Sequence, residues 1–226
     1  MSSAAIAWRM TRSGLLILLS VLWLGNAMAA ADPRPPEVLV DQTARELAER
    51  VERDRATLAA DQQALFDLVD EVLLPVFDTE YAGRQVLGRH GRKATPEQRK
   101  EFIDAFYYFL LRSYAENVLK FRKDQVRVLP PSSNQPRNQQ RTAVRTQMKL
   151  DDGTTLAVDY SLRNTAAGWR IFDVRIEGVS YVQTYRSQFD AEISAKGLDA
   201  VIERLKTDVP EKKTDNPAPA KEAAAP

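Results

Sequence analysis

The stretch WRIFDVRIEGVSYVQTYRSQF, Trp169 to Phe189, changes its period at its middle, and that change limits the folds open to this chain. Up to Ile176 the side chains alternate. Phe172, Val174 and Ile176 take one phase, and Asp173, Arg175 and Glu177 take the other, as in a half-buried strand. Beyond Gly178 the spacing becomes helical. Ser180 followed three residues later by Gln183 has the form of a capping box, and Val182, Tyr185, Phe189 and Ile193 recur along one helical face. A one-sided strand thus runs straight into an amphipathic helix, and both need apolar cover.

Strands precede this stretch. QVRVL is short, with Val126 and Val128 in phase, and PPSSNQPRNQQ after it reads as a polar loop or extended edge. Val144, Met148 and Leu150 then alternate with Arg145, Gln147 and Lys149 up to a turn at Asp151-Asp152-Gly153. Leu156, Val158, Tyr160 and Leu162 alternate with Ala157, Asp159 and Ser161. Strands at hairpin distance make an antiparallel sheet with one polar and one apolar face. Helices must cover the apolar one.

The first half of the chain supplies those helices. Val40, Ala44, Leu47, Val51 and Leu58 mark one helical face, and Leu65, Leu68, Val69, Val72 and Leu73 mark a second, which Pro75 interrupts. VFDTEYAGRQVLG offers Phe77, Tyr81 and Val86 for burial and Gly88 as terminator. Thr95 as N-cap, Pro96 at the first helical position and Gln98 open a further helix. Its Phe102, Ile103, Phe106, Tyr107, Phe109, Leu110, Leu111 and Tyr114 exceed one narrow stripe, so it needs apolar contacts on several sides.

The ends read differently. Arg9 and Arg12 precede the apolar run GLLILLSVLWL, and a small-residue cleavage pattern follows at Ala27-Met28-Ala29. At about 1.5 Å per residue such a run is too short for a hydrocarbon core of about 30 Å. The expected organisation is a signal peptide over 1–29, a linker over 30–36, one domain over 37–206, and a Pro/Ala/Lys-rich disordered tail over 207–226. There are no cysteines, hence no disulfides and no lipoprotein anchor. Lys and Arg number 32 against 31 Asp and Glu, a balance that gives no footprint for nucleic acid or an anionic membrane. The expected location is the periplasm.

ATPEQRKEFIDAFYYFLLRSY and WRIFDVRIEGVSYVQTYRSQF, with VLGRHGRKATPEQ before and GLDAVIERL after, resemble the MlaC, or toluene-tolerance, family. Its members are periplasmic phospholipid-binding proteins that serve an MCE-type ABC transporter. The similarity runs from the first helix to Leu205. His90 departs from it, standing where the family has an aromatic residue such as Trp. The resemblance implies an α+β fold, NTF2-like and MlaC-like, in which an antiparallel sheet of four strands or slightly more has its apolar face covered by helices and encloses a lipid cavity. It also implies a carrier, not an enzyme. Such a carrier shuttles phospholipid between an outer-membrane lipoprotein complex and the inner-membrane transporter, and so maintains outer-membrane asymmetry. Bound phospholipid is then the ligand, with no cofactor and no metal, and the protein is a monomer that touches its membrane complexes transiently.

On that reading the lipid-lining candidates are Leu73, Phe77, Phe102, Phe106, Phe109, Val144, Met148, Leu156, Val158, Phe172, Val174 and Tyr185, with Arg186 a candidate for the mouth or head group. Periodicity alone favours a closed core, and Arg186 paired with Asp173 is at least as good an account of that arginine. His90, the only histidine, lies in the basic run RHGRK and is expected in solvent. Asp159 and Asp173 fall on the polar phase, solvated or paired. A small-substrate acid–base enzyme would need a carboxylate or histidine on the inward phase, which is missing. A periplasmic adaptor or chaperone for apolar segments is the third reading. No GxxxxGK[ST] loop is present to couple nucleotide hydrolysis to direction.

Overall fold

The computed structural model of the protein describes residue 32 and residues 34–122, 124–131 and 140–208. The signal-peptide expectation, nearly all of the tail, part of the linker and most of the polar loop after Pro131 lie outside these residues. Six helices and five strands follow in order: α1 (Pro36–Ala60), α2 (Gln62–Leu73), α3 (Thr79–Leu87), α4 (Pro96–Val118), β1 (Val126–Val128), β2 (Arg141–Lys149), β3 (Thr155–Thr165), β4 (Gly168–Ile176), β5 (Val179–Ser180), α5 (Tyr181–Lys196) and α6 (Leu198–Thr207). Among the described residues no helix is long and apolar enough to cross a membrane.

Side-chain caps set the helix starts. Asp61 accepts the amides of Gln63 and Ala64 at the head of α2, and Asp78 accepts that of Tyr81 at the head of α3. Thr95 and Gln98 form a reciprocal capping box on α4, at 3.1 and 3.0 Å. Gly88 ends α3 as expected, with φ +54°. Gly83 serves close approach instead, since a Cβ there would lie 2.7 Å from Cγ1 of Ile103 on α4.

The sheet is a pure antiparallel meander in the order β1-β2-β3-β4-β5. Register puts Val144 opposite Tyr160, Thr146 opposite Val158 and Met148 opposite Leu156. Tyr160 in turn faces Val174, and Val158 faces Ile176. These residues share the inward phase.

One expectation about this face is corrected. A β-bulge shifts the β3–β4 register, pairing Leu162 with Ile171 but Ser161 with Asp173. The extra residue is Phe172. It leaves the phase of Val174 and Ile176, and Ile171 takes its inward place. Phe172 lies with the outward-phase residues, its ring edge-on to Tyr81 at 5.2 Å and Arg141 5.8 Å from its centroid. Strict alternation through Trp169 to Ile176 could not register an inserted residue.

Apolar side chains gather in three groups. The first joins α3, α4, α5 and α6 through Val86, Leu87, Phe102, Phe106, Tyr185, Phe189, Val201 and Leu205. The second joins α1, α2 and α4 through Leu47, Val51, Leu65, Leu68, Leu111 and Ala115. The third belongs to the sheet, where Val144, Leu162 and Ile171 pack on Leu39 and Val40 of α1 and on Val76. Neither α4 nor α5 contributes to that third group.

Candidate functional site

The helical groups and the sheet group are bordered by half-buried apolar side chains. Phe109, Leu110, Tyr114, Tyr181 and Val182 border the first, and Phe77, Val128, Tyr160, Trp169 and Val174 border the sheet group. The chain itself joins these borders, because β4 turns through Gly178 into β5 and α5, and α5 packs beside β4. The seam between these two borders is taken as the candidate ligand site.

Tyr160 best characterises this seam. It is half-buried, and burial pushes its hydroxyl up to about 12. Together with Trp169 and Val174 it borders the sheet group on its half-buried side. Thr146, buried to 1% exposure, donates its hydroxyl to the Val158 carbonyl at 2.8 Å, so this polar group on the inward phase is satisfied within the sheet. On the helical side the Tyr114 and Tyr185 hydroxyls meet at 2.8 Å, and burial raises the Tyr185 and Tyr181 hydroxyls. Sequence reasoning did not single out Thr146, Ile171 or Tyr181. Thr146 occupies the inward position between Val144 and Met148, a signal that a stricter count of that strand would have found.

The structure places the remaining candidates on three kinds of ground. Phe102 and Phe106 are buried inside the helical group, Phe102 meeting Phe189 edge-on at 5.5 Å and Phe106 meeting Tyr185 at 5.2 Å. Val144 and Val158 are buried on the inward phase of the sheet. Leu73, Phe77, Phe109, Met148, Leu156 and Val174 are half-buried, and Phe172 is half-buried in the outward phase. Tyr185 is buried, while Arg186 one residue later is exposed with its guanidinium against Gly88.

Asp173 does not pair with Arg186. Its carboxylate accepts the Ser180 hydroxyl at 2.7 Å and the Val182 amide at 3.1 Å, with Arg175 at 3.6 Å. Those bonds commit it to joining strand and helix. Asp159 stands opposite Arg145 and Arg175 on the outward phase.

His90 also departs from expectation. Its side chain is 17% exposed, and Nε2 lies 2.9 Å from Oδ1 of Asp190, which Arg89 reaches at 2.7 Å. The short 3-10 turn at Gly88–Arg92 lays the loop on α5, and that draws the ring out of solvent. Among the described residues no group of three or more His, Asp or Glu is arranged to hold a metal ion. A surface hollow of about 270 Å³ between α4 and α6 is lined by Glu101, Asp104, Ala105, Tyr108, Arg112 and Lys206, none of them a lipid-lining candidate.

The family model described as MlaC protein matches residues 41–207. The toluene tolerance protein ttg2D of Pseudomonas putida is 25% identical over 83% of this chain and 85% of its own. The intermembrane phospholipid transport system binding protein MlaC of Haemophilus influenzae is 22% identical over 75% of this chain and 80% of its own. The phospholipid-binding protein from Ralstonia solanacearum, solved in complex with a phospholipid, superposes with a TM-score of 0.68 at 25% identity, covering 76% of this chain and 95% of that one.

Proposed function

Because the chain belongs to the MlaC family, whose members are lipid-binding transport proteins rather than enzymes, we propose that it is a periplasmic phospholipid carrier whose acyl-chain site is the seam between sheet and helices. The observation that carries the proposal is a sheet face that builds its own apolar group apart from α4 and α5 and is bordered by half-buried Tyr160, Trp169 and Val174. Acyl chains would enter between the sheet group and the α3–α6 group, while α1, which supplies residues to the sheet group and to the second helical group, holds the layers together. Phe77, Phe109, Met148, Leu156, Val158 and Val174 are the lining we favour. Phe102 and Phe106 hold up the helical wall, and exposed Arg186 stands in reach of a head-group phosphate.

Magnitudes support a carrier. A buried methylene contributes about 0.8 kcal/mol, so two ordinary acyl chains require on the order of 20 kcal/mol of matched burial outside a bilayer. A seam that offers far less leaves the lipid in its membrane, and one that offers far more never releases it. Direction then comes from partners, in keeping with an inner-membrane MCE-type ABC transporter and an outer-membrane lipoprotein complex. We place the leader at 1–29, the carrier domain at 37–206 and the tail after it.

Native mass spectrometry of gently purified protein tests this. A mass increment equal to one or more phospholipids, lost on Val174→Trp, is the expected result. Protein that emerges ligand-free and takes up no lipid from vesicles would overturn the reading.

A further inference from the structure

The chain is nearly neutral overall, but the outward face of its sheet is not. Register aligns Arg141 with Arg163 and Arg163 with Arg170, a lateral row of three arginines across β2, β3 and β4. Four residues along, Arg145 and Arg175 flank Asp159. At strand spacings of about 4.8 Å each row spans about 10 Å. Ala143 and Ser161, between the rows, keep the face flat.

Like charges directly opposite one another destabilise a sheet, so a row of arginines is a cost that folding alone does not explain. The fold offsets it by fixing the guanidiniums. Arg141 donates to the Tyr81 hydroxyl at 2.6 Å and lies 5.7 and 5.8 Å from the Tyr81 and Phe172 centroids. Arg163 sits 4.5 Å over Tyr81 and reaches Asp78 at 2.5 Å. Arg170 donates to the Trp169 carbonyl at 2.9 Å. The bulge that turns Phe172 outward supplies one of these aromatic supports. Arg141 and Arg175 remain exposed, and Arg163 and Arg170 partly so. Of the nearby carboxylates, Asp78 caps α3 and pairs with Arg163, Asp173 binds Ser180 and Val182 with Arg175 at 3.6 Å, and Asp159 stands between Arg145 and Arg175, so five arginines share three carboxylates.

We infer that this face docks an acidic protein surface that presents adjacent carboxylates to the arginine row. Pre-oriented guanidinium forks match carboxylate pairs, whereas a bilayer responds mainly to net charge. The face also lacks an apolar wedge: the exposed large hydrophobics among the described residues are Val38, Leu74 and Tyr108, all on helices or turns elsewhere. The inference is independent of the lipid seam, which lies on the other phase of the same strands.

The probe is a fluorescein-labelled oligoglutamate peptide, followed by anisotropy with the purified chain at low salt. Saturable binding is expected, with half-saturation rising about tenfold in Arg141→Gln/Arg170→Gln and clearly, though less, in Arg141→Lys/Arg170→Lys. Co-sedimentation with vesicles of roughly one part phosphatidylglycerol to two of phosphatidylcholine should not exceed that with neutral vesicles. Thermal unfolding checks that the variants fold, and Arg175→Gln, outside the aromatic supports, gives a second route if they do not. No peptide binding, full retention in both the double Gln variant and Arg175→Gln, or full rescue by lysine together with anionic-vesicle binding would each overturn the proposal. The last would assign the face to a membrane surface.

Discussion

The Ser180 hydroxyl donates to Oδ2 of Asp173 at 2.7 Å, and this buried bond ties the last residues of β4 to the first turn of α5. The other carboxylate oxygen takes the Val182 amide, one of the donors a helix N-terminus leaves open. Asp173→Ala strips the partner from both groups and should cost about 2 to 3 kcal/mol. Urea unfolding reads this as a lower midpoint at unchanged slope. A variant within experimental error of the parent would show that solvent replaces the carboxylate freely.

Wall and lining should separate experimentally. Phe102 is fully buried and ringed by Phe106 and Phe189. Phe102→Ala should therefore cost about 3 to 5 kcal/mol of stability. Val174→Trp, at a half-buried seam position, should cost only about 1 to 3 kcal/mol while removing most co-purified phospholipid. Calorimetry with quantitative lipid extraction distinguishes the two, and equal lipid content in Val174→Trp and parent would remove Val174 from the lining.

Acid should loosen the α5–α6 hairpin through Glu192. Burial works to raise its pKa, but Arg204, bonded to both oxygens at 2.7 Å, and Lys196 outweigh burial and hold it below the usual carboxylate range. A folded-state value below the unfolded one contributes stability that is present above the unfolded pKa and is lost as pH falls through the folded one. Glu192→Gln should lose about 1 kcal/mol at neutral pH. Its stability should then fall less steeply than the parent's below about pH 4.

Alkali should act through Tyr160. Its hydroxyl, pushed up to about 12 by burial, stays protonated in the folded protein where the unfolded chain ionises near about 10. Stability is thus full below the unfolded value and declines as pH climbs from there through the folded one. A difference titration of tyrosinate absorbance between parent and Tyr160→Phe should isolate this late-ionising group. Lipid loading should delay it further, and a group that ionises at its ordinary value would show that Tyr160 faces bulk water.

Much of this architecture was legible in residue order. The Thr95 box, the Gly88 stop, the meander and the strand-to-helix switch at Gly178 all depend on contacts within a few positions, and local chemistry specifies those. Four strands or slightly more were expected and five are present, the fifth being the two-residue pair at Val179–Ser180. Phe172 was misassigned because a bulge is a property of two strands and leaves no mark on one. His90 was misassigned for a similar reason: Asp190, a hundred positions away, decides its surroundings. Membership in the seam depends on which layer builds which apolar group, and periodicity distinguishes inward from outward but not full from fillable. Phe102 and Val174 thus looked alike in sequence and occupy different ground in the fold.

That the sheet has its own apolar nucleus, resting on Leu39, Val40 and Val76, gives the molecule something like the two valves of a shell. On the proposed reading, cargo would come and go at the expense of the gap alone, leaving the nucleus of each valve in place.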